Sequence, residues 1–322
     1  MRVLVTGRGS IAQRHVQHLR ALLPDIAVAV ISGTGEVDAS LLPCTIFSHM
    51  QAALQWKPDA VIVASISSKH ANELEICLRL GLPCLVEKPL VINGGQLSIL
   101  EKASKEQSLS NALLVGCNLR YLPALQKLRR ALNGAIPCRV LRAHLEVGQA
   151  LSQWRPSRDL KTTYSADAAS GGGVVFDLVH EIDMATWLLG PLQVHAAIDG
   201  HFSDLPIQSD DVCTTLLKTT LGTPVVISLD YVSQQAVRKY SIVTDSGTFS
   251  VDIIGKSIVL HTTKGGHVVT DCADDFDIQK TYQSQMADWL RAIVDPKHEV
   301  ASPFKDGLKT AELMLSIKRA AP

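Results

Sequence analysis

The stretch 2-RVLVTGRGSIAQRH-15 decides the fold of the first part of this chain. A buried-strand pattern leads directly into Gly-x-Gly-x-x-Ala and then into a helical pattern. In such a turn Gly7 permits the tight bend, Gly9 lets the backbone approach a pyrophosphate, and Ala12 permits close packing of helix on strand. Amide groups at the helix start attract the anion. We therefore predict a dinucleotide-binding turn, the alternative being a glycine-rich turn without a ligand.

Strand and helix patterns alternate around this stretch through residue 120. Apolar runs at 2–6, 26–32, 59–65, 83–88 and 113–118 are separated by helical patterns near 11–23, 48–56, 70–80 and 94–106. Strands that are apolar on both faces belong to parallel sheets covered by helices on both sides. We predict a doubly wound Rossmann domain of the α/β class over residues 1–120.

The pattern changes after residue 120. A helix near 123–133, a strand at 139–148 and a helix at 174–189 precede alternating segments at 212–220, 224–233, 239–253 and 257–270. The turns 244-TDSG-247 and 263-TKGG-266 are typical of hairpins. Helical patterns follow at 280–294 and 304–320. We predict an α+β domain over residues 121–322, with a large, mostly antiparallel sheet open on one face.

Composition narrows the class of partner. Hydrophobic residues make up 46% of the 322 residues, and 31 basic residues balance 31 acidic ones without a run of like charge. This indicates a globular protein with a small-molecule partner rather than nucleic acid or an anionic membrane. An apolar run follows Met1 almost at once, and seven scattered cysteines form no Cys-x-x-Cys pair, so we expect a cytoplasmic protein with reduced thiols. We expect no catalytic metal, because the histidines are mostly isolated.

The end of the second strand bears on the choice of cofactor. An NAD site usually has an acid there, but this chain has Ser32 and Gly33. A small hydroxyl residue leaves space for a 2'-phosphate, and Arg8 can supply the positive charge. The pattern favours NADP, the alternative being that Glu36 reaches an NAD ribose.

Lys88 ends the apolar strand 83-PCLVEKPL-90. Ligands of open α/β sheets sit at the carboxyl ends of the strands, so its amine could stabilise a substrate oxygen during hydride transfer. A surface salt bridge is the alternative.

A second titratable group lies in 171-GGGVVFDLVHEID-183. On one continuous helix Asp177, His180 and Glu181 share a face, and Asp183 is one turn from His180. A histidine beside a carboxylate is a good general acid or base near neutral pH. The alternative is a helix start that carries acids for its dipole, with His180 merely packed. We interpret the glycine triplet as a flexible entry to this helix.

Together these motifs, with 116-GCNLRY-121, resemble the Gfo/Idh/MocA family of glucose-fructose oxidoreductase, inositol dehydrogenase and rhizopine-catabolism proteins over the full chain. The resemblance implies NAD or NADP in the first domain, a substrate pocket on the second, and last helices, about 281–322, that pack back on the first domain. It implies that Lys88 and His180 are the active-site lysine and histidine.

Two departures from the family pattern affect the assignments. Many relatives place the helix aspartate four residues before the histidine, whereas Asp177 lies three before His180. The Ser32-Gly33 pair is similar to what NADP-using members show, but the basic residue that should follow soon after is absent.

The candidate site residues fall into three groups. The catalytic candidates are Lys88, His180, Asp177 and Asp183. The cofactor-binding candidates are Gly7, Arg8, Gly9, Ser10, Ile11, Ala12, Ser32, Gly33, Ser65, Ser67, His70, Glu87, Lys88 and Asn118. The substrate-binding candidates are Arg120, Tyr121, Trp154, Arg155, Tyr164 and His180. The donor-rich loop around Trp154 is suited to a carboxylate or phosphate, the alternative being a solvated connector.

We expect an NAD(P)-dependent oxidoreductase acting on a hydroxyl or keto carbon of a sugar, sugar acid, inositol or nucleotide sugar. The alternatives are a dinucleotide-binding sensor without turnover, and a glycoside hydrolase or lyase that uses NAD transiently. The apolar alternation on an exposed sheet face leads us to expect a homodimer or higher homo-oligomer.

Overall fold

The computed structural model describes residues 1–106, 112–134, 138–154 and 159–321. It divides the chain into two compact units. The first unit comprises Met1–Tyr121 and Gln279–Leu308, and the second comprises Leu122–Ile278 and Lys309–Pro322.

The first unit is built on a six-stranded parallel sheet in the order β3-β2-β1-β4-β5-β6. Its strands are β1 (Arg2–Thr6), β2 (Ala27–Ile31), β3 (Thr45–Phe47), β4 (Ala60–Val63), β5 (Cys84–Val86) and β6 (Leu113–Val115). The apolar runs of β1, β2, β4, β5 and β6 are mostly buried on both faces, as parallel strands covered by helices must be, whereas the edge strand β3 is mostly exposed. The predicted doubly wound sheet is confirmed, and β3 is a strand that the apolar pattern did not predict.

The helices of the first unit cover this sheet. They are α1 (Ser10–Leu22), α2 (Met50–Gln55), α3 (Ser67–Arg79) and α4 (Gly94–Glu106). A late helix, α9 (Ile278–Val294), belongs to the same unit from Gln279 onward and contributes Met286 and Trp289 to its core. The Trp289 indole is fully buried and donates a hydrogen bond to the Ala112 carbonyl at 3.0 Å.

The second unit is built on an eight-stranded sheet in the order β14-β13-β12-β11-β7-β10-β9-β8. Its strands are β7 (Val140–Gly148), β8 (Leu192–Gly200), β9 (Val212–Thr219), β10 (Pro224–Asp230), β11 (Val237–Thr244), β12 (Gly247–Asp252), β13 (Ser257–Thr262) and β14 (Gly265–Thr270). Neighbouring strands pair antiparallel, apart from the parallel pair of β7 and β10. The predicted mostly antiparallel sheet and both hairpins are confirmed, and β8 was not predicted.

The remaining helices lie in or enter the second unit. They are α5 (Pro123–Leu132), α6 (Leu151–Trp154), α7 (Val174–Asp177), α8 (Val179–Leu189) and α10 (Phe304–Ala320), the last belonging to the second unit from Lys309 onward. The single helix predicted over 174–189 is wrong, because Leu178 separates α7 from α8. None of the helices within the described ranges is long and apolar enough to span a membrane.

Candidate functional site

Gly7 makes the tight turn that follows β1. Its φ is +85°, a conformation that side chains rarely adopt, and a Cβ there would lie 2.5 Å from the Ala64 carbonyl oxygen at the end of β4. The loop after β4 therefore packs directly on the backbone of the turn. Only glycine permits both the bend and this close approach.

The start of α1 has the features of an anion site. Gly9 is the N-cap residue without a side-chain cap, the first turn carries no acid, and nothing lies within 4 Å of where a Gly9 Cβ would be. Ser10 and Ile11 begin the helix, and Ala12 is fully buried, as expected for close packing on the sheet. The backbone amides of this turn fit a pyrophosphate group of a dinucleotide.

The loop after β2 folds around the carbonyl of Glu36. The buried Ser32 hydroxyl donates to this oxygen at 2.6 Å, and the Arg8 guanidinium donates to it at 3.3 Å. Arg8 thus lies beside the loop where the ribose of the adenosine is expected, and a Gly33 Cβ would meet nothing within 4 Å.

The segment after β4 is tied to α3. Ser65 and Thr6 both donate through their hydroxyls to one oxygen of Glu73, at 2.8 and 2.6 Å. Ser67 is the buried first residue of α3. The buried His70 ring faces the Pro89 carbonyl at 2.8 Å through Nδ1 and the Ser65 carbonyl at 3.0 Å through Nε2. These contacts shape the backbone around the glycine turn.

Glu87 follows β5 directly and is only 6% exposed. His15 Nε2 donates to its Oε1 at 2.7 Å, and the Lys88 backbone amide donates to its Oε2 at 3.2 Å. Burial raises the pKa of Glu87, but the hydrogen bond and charge of His15, with the charges of Lys88 and His70, outweigh it and hold the pKa below its usual value. Glu87 is therefore ionised, and both of its oxygens accept hydrogen bonds from within the chain. Its role in cofactor binding stays a prediction.

The segment 118–121 anchors α9 and the residues after it. Asn118 donates to the Thr281 hydroxyl at 2.8 Å, and the buried Arg120 contacts the Asp306 carboxylate at 2.9 Å. Tyr121 donates to Asp288 at 2.6 Å, and burial together with that carboxylate raises its pKa. These contacts give Arg120 and Tyr121 a structural role, and the substrate role predicted for them stays a prediction.

Asp177 is the buried polar centre of the second unit. Its Oδ2 accepts hydrogen bonds of 2.6 Å from the hydroxyls of Ser165 and Tyr231. Burial and the Asp177 charge raise the pKa of Tyr231 well above its usual value, so Tyr231 stays a donor. The Trp154 and Tyr231 rings pack edge-to-face, with 5.9 Å between their centroids.

The residues around His180 are fixed by separate partners. The fully buried Glu181 is held by Arg238 at 2.6 and 3.0 Å and by the Tyr240 hydroxyl at 3.1 Å. Asp183, also fully buried, accepts from the Thr310 hydroxyl at 3.1 Å. His180 itself is half-buried in the first turn of α8.

The glycine triplet at 171–173 is a packed turn. Gly173 has a φ of +110°, and a Cβ there would collide with the Asp210 carboxylate. A Cβ on Gly172 would lie 2.6 Å from the Ser165 carbonyl oxygen. The interpretation of this triplet as a flexible entry is wrong, because close packing rather than mobility requires the glycines.

The donor-rich loop is only partly described. Trp154 is 39% exposed, and the Tyr164 hydroxyl donates to the Gly171 carbonyl at 2.5 Å. Arg155 lies outside the described residues. The substrate role of Trp154 and Tyr164 stays a prediction, although Trp154 lies beside Tyr231 and hence near Asp177.

Sequence reasoning missed three residues that organise these sites. His15 is seventy-two positions from Glu87, Tyr231 is fifty-four from Asp177, and Arg238 is fifty-seven from Glu181. Only His15 could have been found from the sequence, because its spacing places it on the buried face of α1, the helix that follows the glycine turn. Within the described ranges, the structure contains no group of three His, Cys, Asp or Glu side chains arranged to hold a metal ion.

Two family models match the chain in order. Residues 1–116 match an oxidoreductase family with an NAD-binding Rossmann fold, and residues 126–250 match a GFO/IDH/MocA C-terminal domain. The two matches belong to the same family and leave only a short gap between them.

Several relatives span nearly the whole chain. The UDP-N-acetylglucosamine 3-dehydrogenase of Acidithiobacillus ferrooxidans is 27% identical, over 91% of this chain and 88% of its own. An inositol 2-dehydrogenase of Mycolicibacterium smegmatis is 25% identical, over 95% and 87%. A levoglucosan dehydrogenase solved with NADH and levoglucosan shares the fold with a TM-score of 0.84 at 18% identity, covering 100% of this chain and 97% of its own. The chain belongs to the Gfo/Idh/MocA family of NAD-binding oxidoreductases.

Proposed function

We propose that this protein transfers a hydride between a nicotinamide dinucleotide and a hydroxyl-bearing carbon of a sugar-type substrate. The observation that carries the proposal lies in the first unit. The uncapped start of α1 follows β1, Lys88 follows β5, and both strands belong to one parallel sheet. Carboxyl ends of parallel strands share one edge of a sheet, which is where ligands of such folds bind.

The chain's own groups fit the dinucleotide. The backbone amides at Gly9, Ser10 and Ile11 would hold the pyrophosphate, and Ser65 and Ser67 would border the ribose on the nicotinamide side. When bound, the nicotinamide takes up or gives up the hydride.

Lys88 and His180 are the proposed polar groups of the reaction. Lys88 would donate a hydrogen bond to the substrate oxygen and stabilise the negative charge that develops on it. His180 would accept or return the hydroxyl proton. Asp183 and Asp177 are candidates for orienting His180. Asp177 has two further donors in Ser165 and Tyr231.

We also propose that NADP is the preferred cofactor. Arg8 lies beside the loop after β2, and the residue that ends this strand region is Ser32 rather than an acid. A guanidinium pairs well with a phosphate, whereas an acid at that position would repel it. The alternative is an NAD site in which Glu36 contacts the ribose.

The substrate proposal rests on the relatives. Two of them are named for dehydrogenation of UDP-N-acetylglucosamine and of inositol, which are both polyhydroxylated rings. Trp154 at the edge of the second unit's polar centre offers a flat apolar surface of the kind that packs on such rings.

A two-step experiment tests the function. Thermal-shift measurements with NAD and NADP should show a higher melting temperature with the preferred dinucleotide, because ligands that bind only the folded state stabilise it. The near-ultraviolet absorbance of the reduced nicotinamide is then followed with UDP-N-acetylglucosamine, myo-inositol, glucose and glucuronate in both directions. Binding without any absorbance change would favour a sensor. Net hydrolysis of a glycoside without consumption of cofactor would favour the glycosidase alternative.

We further propose that the protein self-associates through the second unit's sheet. Leu141, Leu216 and Val268 are 42%, 37% and 60% exposed on strands of this sheet. Apolar side chains in such a pattern are typical of an interface between copies. Light scattering coupled to gel filtration should give at least a dimer, and Leu216→Glu should shift it toward the monomer.

A further inference from the structure

The backbone on both sides of Lys88 is held by buried histidines from two different helices. On one side, the Lys88 amide donates to the Glu87 carboxylate at 3.2 Å, and His15 of α1 holds that carboxylate at 2.7 Å. On the other side, His70 of α3 contacts the Pro89 carbonyl at 2.8 Å. His15 is fully buried and His70 is 1% exposed. We call His15, Glu87 and His70 the lysine brace.

Packing leaves the Glu87 carboxylate little freedom. A Cβ on Gly116 would lie 2.9 Å from its Cδ and from both oxygens, so the carboxylate lies flat against the backbone that follows β6. With one oxygen on His15 and the other on the Lys88 amide, its orientation is determined by three separate chain segments.

Electrostatics explains why a histidine faces this carboxylate. A buried carboxylate without a partner is strongly unfavourable, and removal of one member of a buried pair usually destabilises a protein more than the pair itself contributes. Burial raises the pKa of Glu87, yet His15, Lys88 and His70 hold it below the usual value, so the carboxylate is ionised near neutral pH. Loss of His15 would remove the donor that keeps this charge in place.

The second histidine joins the lysine to the loop beside the glycine turn. The ring of His70 reaches the Pro89 carbonyl with one nitrogen and the Ser65 carbonyl with the other. Ser65 directly follows the residue whose carbonyl oxygen approaches Gly7. The brace therefore connects the segment of Lys88 with the two elements, α1 and the loop after β4, that form the dinucleotide turn.

We propose that His15 and His70 are positioning residues: they set the placement of the Lys88 amine through its backbone, His15 acting through Glu87. The inference rests on the proposed role of Lys88 as the group that holds the substrate oxygen. Neither histidine needs to touch the dinucleotide or the substrate. A misplacement of about 1 Å in a reacting group can lower turnover about a hundredfold, so modest loosening of this segment has a measurable effect.

The test compares three variants of α1. His15→Leu removes the donor to Glu87, His15→Gln keeps a donor near the place of Nε2, and His18→Leu makes the same change at a half-buried histidine one turn along the helix. For His15→Leu we expect kcat to fall about 10-fold to 100-fold, while the Kd for NADP stays within about twofold of the wild type. His15→Gln should recover most of the loss, and His18→Leu should behave as the wild type.

Hydrogen exchange supplies a readout that does not depend on turnover. In a peptide covering residues 84–92, the Lys88 amide should exchange severalfold faster in His15→Leu than in His15→Gln or His18→Leu, because its acceptor is no longer held. His70→Leu should act in the same way and His70→Asn, which keeps a donor toward the Pro89 carbonyl, should not. If His15→Leu does not fold, Glu87→Gln takes its place, since it retains the packing against Gly116 and removes the charge.

The outcomes separate the two proposals. Wild-type exchange and wild-type kcat in folded His15→Leu and His70→Leu would overturn the positioning role. Parallel loss of kcat and of NADP binding would also overturn it, because it would show a general distortion of the cofactor turn. A wild-type protein that turns over no substrate would remove the proposed function, whereas the exchange measurements would still decide whether the brace holds Lys88.

Discussion

The Tyr231 hydroxyl donates a 2.6 Å hydrogen bond to the Asp177 carboxylate, and both side chains are buried in the second unit. Tyr231→Phe removes this donor and leaves a buried charge with one partner fewer. We expect the free energy of unfolding to fall by about 1 to 3 kcal/mol, measured by urea denaturation. Ser165→Ala should have a similar effect, and an unchanged denaturation midpoint in both variants would show that Asp177 does not depend on these hydroxyls.

The glycine turn offers a way to separate folding from cofactor binding. Gly7→Ala introduces a Cβ 2.5 Å from the Ala64 oxygen at a φ of +85°, so it should destabilise the first unit. Gly9→Ala meets nothing within 4 Å and should lower stability by less than about 1 kcal/mol, yet its methyl group should obstruct the pyrophosphate. Thermal melting and dinucleotide titration of each variant check both statements. Normal NADP affinity in Gly9→Ala would contradict the placement of the pyrophosphate.

Lys88→Met keeps most of the length of the side chain and removes its charge. If the amine stabilises charge on the substrate oxygen, kcat should fall about 100-fold to 1000-fold, whereas the Kd for the dinucleotide should change little. Steady-state kinetics and a binding titration on the same preparation measure both. Retained turnover would remove the role assigned to Lys88, and His180→Ala provides the corresponding test for the second unit.

Variants of Arg8 and Glu36 distinguish an NADP site from an NAD site. With NADP as the preferred cofactor, Arg8→Ala should weaken NADP binding about tenfold or more, since hydrogen bonds to charged groups contribute about 1.5 to 3 kcal/mol, and should leave NAD binding nearly unchanged. Glu36→Gln should then have little effect on either. Weaker NAD binding in Glu36→Gln, with NADP unaffected by Arg8→Ala, would instead favour the NAD site.

Ionisation of Glu87 should make the stability of the protein depend on pH in the acid range. Its pKa in the folded protein is lowered, so the ionised form favours folding. This contribution is complete above the pKa of the unfolded chain, about 4.3, and is lost as the pH falls through the lower folded value. Glu87→Gln should therefore lose less stability than the wild type on acidification below about pH 4. If the stabilities of the two proteins fall in parallel with pH, measured by urea denaturation, folding does not favour the ionised form of Glu87.

The parts of the fold that could be predicted from the sequence depend on local patterns of neighbouring residues. The Rossmann sheet follows from apolar runs and the turn at Gly7, and the hairpins follow from short glycine-containing turns. The strand β8 was missed because its pairing with β9 shifts register between Val194 and Ala196, which interrupts the alternation. The three-residue β3 is too short to leave a pattern.

Hydrogen-bond partners that are distant in sequence could not be predicted for the residues of the site. A continuous helix over 174–189 would place Asp177 and Glu181 on one face, but Asp177 pairs with Tyr231 and Glu181 pairs with Arg238. Helical spacing alone cannot show that one carboxylate pairs with a residue just after β10 and the other with a residue on β11. The same holds for Arg120, whose partner Asp306 lies 186 positions away.

The contact between Gly116 and the Glu87 carboxylate also constrains how this protein can diverge. A side chain at 116 would occupy the volume of the carboxylate, so a larger residue there requires a shorter residue at 87. Substitutions at the two sites should therefore appear in pairs across a lineage, and a change at either one alone should be rare among functional descendants.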